Sequence, residues 1–410
     1  MNKVVERFLK YTAIESQSSN ESDTFPSTQC QLAFASVLYD ELVEMGLDVK
    51  FNRDEGIVYA SCKASEGLED RKTLGFIAHI DTSPEVSGKN VNAKIIENYD
   101  GKDIILNSEK HIILSRMKYP EITAYKGKTI ITTDGTTLLG ADDKAGVAEI
   151  ITMFEELLTH PEIKHGRIVA AFTPDEEVGG GIDHLNIKKF GADYAYTVDG
   201  GEIGELQYEN FNAASAKVVF SGVNVHTGEA KNKMINSCLV AMEYNAMLPS
   251  FEKPEYTEGY EGFIHLEEMK GNVEKTVLSY LIRDHAVLSF EQKKDIMRCA
   301  EDYINSKYGE DTCEVIIENS YQNMRDKIFP QNMFLINNVE KHMIELGIEP
   351  KIVPIRGGTD GAKLSFRGIP CPNICTGGHN FHGRYEYVCA ESMELIVKLL
   401  CKLAEDFDPE

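Results

Sequence analysis

Apolar and polar positions alternate along the chain with two periods. Near the N-terminus Val4, Val5, Phe8 and Leu9 recur at helical spacing, which predicts an amphipathic helix. TQCQLAFASVLYDELVEMG predicts a second helix, with Thr28 and Gln31 placed for a capping box and Gly46 at its C-terminal end. LDVKFN and GIVYASC read as strands, and TLGFIAHID (73–81) is a nearly continuous apolar run that ends in polar residues, as a buried strand does. DKAGVAEIITMFEELLTH follows as a helix with Val147, Ile150, Ile151, Phe154 and Leu158 on its apolar face. RIVAAFTP and ADYAYTVDGG are further strands. Strands alternating with helices predict an α/β fold with a central mixed, largely parallel sheet flanked by helices.

The pattern changes after about residue 211. AKVVFSG is a strand, NKMINSCLVAMEYNAML a helix, and GFIHLEEMKG and EKTVLSYLIRDH are two strands around Asn272. A helix over roughly 289–308 and the strand TCEVIIENSY complete a β-α-β-β-α-β order, the ferredoxin-like split unit. Because this order is a complete small domain, residues 212–326 are expected to form an insertion. The catalytic domain is then discontinuous, 1–211 and 327–410. FLINNVEKHMIELG and ESMELIVKLLCKLAEDF are its later helices and KIVPI a strand between them. The segment 82–137 is long and poorly periodic, which leaves a flap or a small extra sheet open.

Length supports two domains: 410 residues are many for one core. The net charge of −24 repels nucleic acid and anionic membrane, so neither is an expected partner. No run approaches 18 consecutive apolar residues, and the N-terminus lacks the apolar core of a signal peptide. Nine scattered cysteines do not form a disulfide framework, and the cytoplasm is the expected compartment.

The chemistry gathers at the ends of the predicted strands. His79-Ile80-Asp81 ends one and Asp175-Glu176-Glu177 another; Asp199 ends a third. Gly140-Ala141-Asp142-Asp143 precedes the amphipathic helix, and GGHNFHGRYE supplies His379 and His382. Ligands of open α/β sheets bind outside the carboxyl ends of the strands, so these groups can converge. Carboxylates and imidazoles without cysteine suit Zn²⁺ or a similar divalent ion. They are too many for one tetrahedral ion and suit two ions about 3.5–4 Å apart that share a carboxylate. Two such ions would also cancel the repulsion of adjacent acids, roughly 1 kcal/mol per pair in water and about 4 near a protein surface. In His-x-Asp the two side chains share a face, so Asp81 can orient His79. Glu176 and Glu177 point to opposite sides, so one can hold a metal while the other works as a base. Cys371, Cys375, His379 and His382 also make a C-x3-C-x3-H-x2-H run, but its spacing is tighter than that of structural zinc sites.

GFIAHIDTSPEVSGKNV, TTDGTTLLGADDKAGVAEI, FTPDEEVGGG, PIRGGTDGAKLSFRGIPCPNI and TGGHNFHGRYEYV resemble the peptidase T family over essentially the whole chain. These are tripeptide aminopeptidases within the wider dinuclear-zinc group of aminoacylase- and carboxypeptidase-like metallopeptidases. The resemblance implies a zinc-peptidase-like catalytic domain carrying an inserted lid, and release of the N-terminal residue from short peptides. It implies two Zn²⁺ per chain, with Co²⁺ or Mn²⁺ as substitutes. His79, Asp142 and Asp199 would hold one ion, and Asp142, Glu177 and His382 the other. Asp81 would orient His79, and Glu176 would be the general base. The bridging aspartate of the group often precedes a cis peptide, here Asp142–Asp143. His226 would help hold the oxyanion, and Arg283 and Arg356 would meet the substrate. Of the two neighbouring histidines, His382 is preferred because Glu386 follows it by four. Dipeptidase, carboxypeptidase and N-acyl amino acid deacylase activities share such a centre and are the alternatives; monomer and homodimer are both compatible with the inserted domain.

Overall fold

The computed structural model of the chain describes residues 2–409. Contacts divide it into two units. The first comprises residues up to Tyr208, Asp326–Val353 and Thr359 onward; the second comprises Glu209–Arg325 and Pro354–Gly358.

The first unit is built on an eight-stranded sheet. Its order is Asp48–Asn52, Ile57–Cys62, Ile168–Thr173, Leu74–His79, Tyr194–Gly200, Asn373–Cys375, Glu205–Gln207 and Lys351–Ile352. The central strands Ile168–Thr173, Leu74–His79, Tyr194–Gly200 and Asn373–Cys375 run parallel to one another, and antiparallel strands flank them. Leu74–His79 is buried at every position because both faces are covered. Phe76 and Ala78 face one core with Phe172, Tyr196 and Phe154; Ile77 faces the other with Ala171, Phe190 and Leu364. The helices Lys3–Thr12, Gln29–Glu44, Ala141–Thr159 and Ala390–Asp406 contribute their apolar sides to the first of these cores.

Two local readings are corrected. Leu158 is 41% exposed, and its neighbour Leu157 takes the buried position on the helix Ala141–Thr159. Thr28 and Gln31 do not form a capping box. Thr28 is the N-cap residue without a side-chain cap bond, and its hydroxyl donates to the Gln17 carbonyl at 2.7 Å. The side chain of Gln31 donates to Asp175, 144 positions on, at 2.6 Å and to the Thr28 hydroxyl oxygen at 3.1 Å, not reaching the Thr28 backbone amide.

The aperiodic segment 82–137 forms a small extra sheet. Lys94–Ile96 pairs with Ile130–Thr132, which pairs with Tyr387–Cys389, and that strand pairs with Gly378–His379. The hairpin Ile104–Asn107 with Ile112–Leu114 packs its Leu106 and Leu114 beneath it, with Tyr99, Tyr125 and Tyr387. This third core, through Tyr385 and Tyr387, anchors the loop 380–386, which carries His382 and Glu386.

The second unit is a four-stranded antiparallel sheet in the order Phe263–Gly271, Lys275–Asp284, Asn212–Ser221, Cys313–Asn319. The helices Ser237–Met247 and Val287–Tyr308 supply Tyr244, Met297 and Ile304 to its core. This is the β-α-β-β-α-β order. The first helix starts later than its apolar pattern because Asn236 caps it, accepting the Cys238 amide at 3.0 Å. No helix among the described residues is long and apolar enough to cross a membrane.

Candidate functional site

Four segments at the carboxyl end of the central sheet, with the loop 380–386 as a fifth, bring the predicted groups of the first unit together. His79 is the last residue of its strand and stands beside Thr173 in parallel register. Asp81 lies two residues beyond. The turn after Thr173 carries Glu176 and Glu177, and Asp199 lies near the end of the adjacent strand. Asp142 sits where Gly140, in the left-handed region at φ +80°, turns the chain into the helix. The Asp142–Asp143 bond is cis. Gly146 brings this helix against the strand of Asp199: a Cβ there would lie 1.9 Å from the Val198 carbonyl.

Asp142 is the centre of the arrangement. Its Oδ1 is 2.9 Å from His79 Nε2, which is also 3.4 Å from Asp199 Oδ1. Its Oδ2 is 3.2 Å from His382 Nε2, which is 2.9 Å from Glu177 Oε2. One carboxylate therefore faces two donor sets with different oxygens. Nitrogen and oxygen ligands about 2.0–2.1 Å from a tetrahedral ion stand about 3.3 Å from one another, close to these separations. His79, Asp142 and Glu177 offer ligand atoms within 4.8 Å of one another, and so do His79, Asp143 and Asp199.

Asp81 organises the surroundings. Buried completely, it lies 3.3 Å from His79 Nδ1 through Oδ1. The same oxygen accepts the Glu176 amide at 3.0 Å, and Oδ2 accepts the Glu177 amide at 3.2 Å. Its backbone carbonyl lies nearer still to His79 Nδ1, at 3.0 Å, so this one residue sets both the imidazole and the turn that aims the two glutamates.

The charges are unevenly compensated. Burial opposes a proton on His79, but Asp199, Asp142 and Asp81 outweigh it and raise its pKa well above the ordinary value. His382, hydrogen-bonded by Asp142 and Glu177, is pushed up to about 11. Burial would raise Asp142, but its two imidazole partners pull it down. Burial, with the charge of Asp142, lifts Glu177 to about 7. Burial lifts Asp199 to about 6, and burial with the charge of Asp199 raises Glu176 well above 4.5. Glu177 Oε1 is buried with no hydrogen-bond partner. A buried acidic cluster with an orphaned carboxylate oxygen lacks positive charge, and divalent ions fit that deficit.

The decoy residues are satisfied elsewhere. His379 Nε2 meets the Tyr125 hydroxyl at 2.7 Å, and its ring stacks on Tyr387 at 4.6 Å; burial pushes it down to about 4. Cys371 and Cys375 are buried, and among the described residues no cysteine joins a possible metal-binding group.

His226, Arg283 and Arg356 belong to the second unit. His226 is exposed, and its Nδ1 accepts the Gly228 amide at 3.2 Å, which leaves the ring proton on Nε2. Arg283 donates to the Ala214 and Ile282 carbonyls at 3.0 and 2.9 Å and lies over the Tyr321 ring. Arg356 bonds the Gly259 and Glu261 carbonyls, both at 2.8 Å, and the Thr257 hydroxyl at 2.9 Å. It also lies over Phe211, so its guanidinium ties its own unit together.

Three supporting acids are given no role by sequence reasoning. Asp143 accepts the amides of His79 at 3.1 Å and Gly146 at 3.2 Å. Asp360 accepts the Thr173 hydroxyl at 2.9 Å and is pushed up to about 7 by burial; the TDG of RGGTDGA was its only signal. Glu386 is the third. It accepts the amides of Leu139, Gly140 and Asp142 at 2.7, 2.8 and 3.1 Å, and only its spacing from His382 drew attention to it.

Comparison with known proteins gives this geometry its relatives. The model of peptidase family M20/M25/M40 matches residues 131–406. Peptidase T of Alkaliphilus oremlandii is 53% identical over 406 residues, 99% of this chain and 99% of that one. The crystal structure of aminopeptidase PepT from Bacillus cereus superposes with a TM-score of 0.77 at 20% identity, covering 98% of this chain and 97% of that one. Bacillus subtilis YXEP, described as a dinuclear metal binding peptidase, superposes at 0.65 with 13% identity over 98% and 96%. The chain belongs to the M20/M25/M40 peptidase family, in its peptidase T group.

Proposed function

We propose that this chain is a tripeptide aminopeptidase whose centre holds two divalent ions, Zn²⁺ in the first instance. The observation that carries the reading is Asp142, placed with one oxygen beside His79 and the other beside His382. His79, Asp142 and Asp199 would hold one ion and Asp142, Glu177 and His382 the other. When bound, the ions supply Lewis-acid activation of a water nucleophile and polarise the scissile carbonyl.

The chain's own groups do the rest. Glu176, aimed by its amide bond to Asp81, accepts the proton of the attacking water at its carboxylate and returns it to the leaving amine. Asp81 keeps His79 in the tautomer that presents Nε2. The second unit serves as a lid that supplies substrate contacts and excludes water. There His226 donates from Nε2 to the oxyanion. Arg283 offers its remaining N–H groups to the peptide carboxylate, and Arg356 is the second guanidinium that would meet the substrate's carboxylate or backbone.

Chromatography of products tests the reading. The purified, zinc-loaded protein should convert a free tripeptide to its N-terminal amino acid and a dipeptide. It should leave the N-acetylated tripeptide and long peptides largely intact. Release of the C-terminal residue, or equal turnover of the acetylated peptide, would instead establish one of the alternative activities.

A further inference from the structure

The N-terminal segment 14–31 lies far from every predicted ligand in sequence, yet it bonds to three of the five segments that carry them. Lys144, two residues after Asp142 and fully buried, donates its ammonium to the Ile14 carbonyl at 2.6 Å. Thr82, next to Asp81, donates its amide to the Ser16 carbonyl at 3.2 Å and accepts the Ser18 amide at 3.1 Å. The third contact is the most extensive. Asp175 immediately precedes Glu176 and is held in the left-handed region at φ +55° although it is not glycine. Its Oδ2 accepts the Ser27 amide at 2.6 Å, and its Oδ1 accepts the Ser27 hydroxyl and, at 2.6 Å, the Gln31 amide group. Gln31 returns the bond, its Oε1 accepting the Asp175 backbone amide at 3.0 Å. The Asp175 carbonyl accepts the amides of Gly180 and Gly181 at 2.8 and 3.3 Å.

We propose that segment 14–31 is a positioning strap for the reaction centre, and that Ser27 and Gln31 act through Asp175 to aim Glu176 and Glu177. The first acid of the DEE triplet then touches neither ion nor substrate. Its side chain, amide and carbonyl are all engaged, so the backbone direction entering Glu176 is fixed at the branch where one glutamate turns to His382 and the other does not. Residues holding ligands in place govern metal affinity and turnover as well as folding. The proposal rests on the reading of Glu176 as proton carrier and Glu177 as ligand.

The test uses Ser27→Ala, Gln31→Ala, Asp175→Ala and the Gln31→Ala/Asp175→Ala double variant of the full chain. Zinc affinity is measured by competition with a chromophoric chelator, without peptide. Turnover of a free tripeptide is then measured per chain loaded with two ions. Gln31→Ala should lose about 10–100-fold in zinc affinity or kcat, with KM changed less than about twofold. Ser27→Ala, which keeps the backbone donor, should lose less. The double variant should be no worse than Asp175→Ala, because the pair acts as one unit. Should Asp175→Ala fail to fold, Gln31→Ala alone decides. A folded Gln31→Ala that is less stable yet binds both ions and turns over as the parent would reduce the strap to a structural tie and overturn the proposal. A parent chain that binds zinc but cleaves no tripeptide would refute the proposed function and leave the affinity test intact.

Discussion

Glu386 offers the sharpest link between one buried side chain and the metal centre. Its Oε2 accepts the amides of Leu139 and Gly140, and its Oε1 that of Asp142. The residue is buried, so water does not compete for these donors; burial also pushes its carboxyl up to about 7, so the comparison is made well above that pH, where it is ionised. In Glu386→Gln the amide can keep its oxygen on the Leu139–Gly140 pair, but its NH₂ then faces the Asp142 amide. One buried donor is orphaned, at about 1–3 kcal/mol, and the two surviving bonds lose their charge assistance. A cost of about 2–4 kcal/mol follows for the metal-free protein. Glu386→Ala orphans all three donors, and water entering the space repays part; about 3–6 kcal/mol remains. That is a large share of the stability of an ordinary domain. Because the third donor belongs to Asp142 itself, zinc affinity should fall about 10–100-fold in Glu386→Gln. Urea unfolding of the metal-free protein and chelator competition read the two effects separately. A Glu386→Gln protein that unfolds and binds zinc as the parent does would refute the argument, since no orphaned donor could then exist.

Other outcomes are expected of the same chemistry. Glu176→Gln should retain two ions per chain by elemental analysis and lose turnover by at least about 100-fold; retained activity would remove Glu176 from the proton path. Asp142→Ala should hold fewer than two ions per chain, and a fully loaded variant would refute its bridging place. Zinc at about 100 times its dissociation constant should stabilise the metal-free protein by about 2.7 kcal/mol for each ion bound in urea unfolding, reversed by chelation. Far from the centre, burial alone would raise Glu41, but hydrogen bonds from Arg7 and Lys10 outweigh it and hold its carboxyl below the ordinary 4.5. A depressed acid contributes stability above its unfolded pKa and loses it as pH falls through the folded value. Glu41→Gln should therefore cost about 1 kcal/mol at neutral pH. Its unfolding free energy should converge on that of the parent between about pH 5 and 3; a gap constant with pH would remove the ionic contribution.

What could be read from the sequence follows from the range of the forces involved. A strand buried on both faces is announced by its own residues, so TLGFIAHID and RIVAAFTP were legible, and with them the polar groups just beyond their ends. The chemical type of those groups pointed to metal before any coordinates. What stayed hidden depends on partners far along the chain. Gln31 carries a local capping signal, but a buried carboxylate 144 positions away competes for its amide and wins. Segment 82–137 shows no period because its strands are only three or four residues long, and the small sheet is completed by the pairing of Ile130–Thr132 with the distant Tyr387–Cys389. Its function was invisible for the same reason: it shores up the loop of His382 and Glu386. The DEE triplet joins both cases. Its second and third acids are exposed by their chemistry, since adjacent carboxylates at a strand end ask for a counter-charge. The first looks identical in sequence, yet the N–H and O–H groups of Ser27 and Gln31 answer its charge. Three like charges in a row are thus divided between two kinds of compensation, and only the distant half of that division required the fold to be seen.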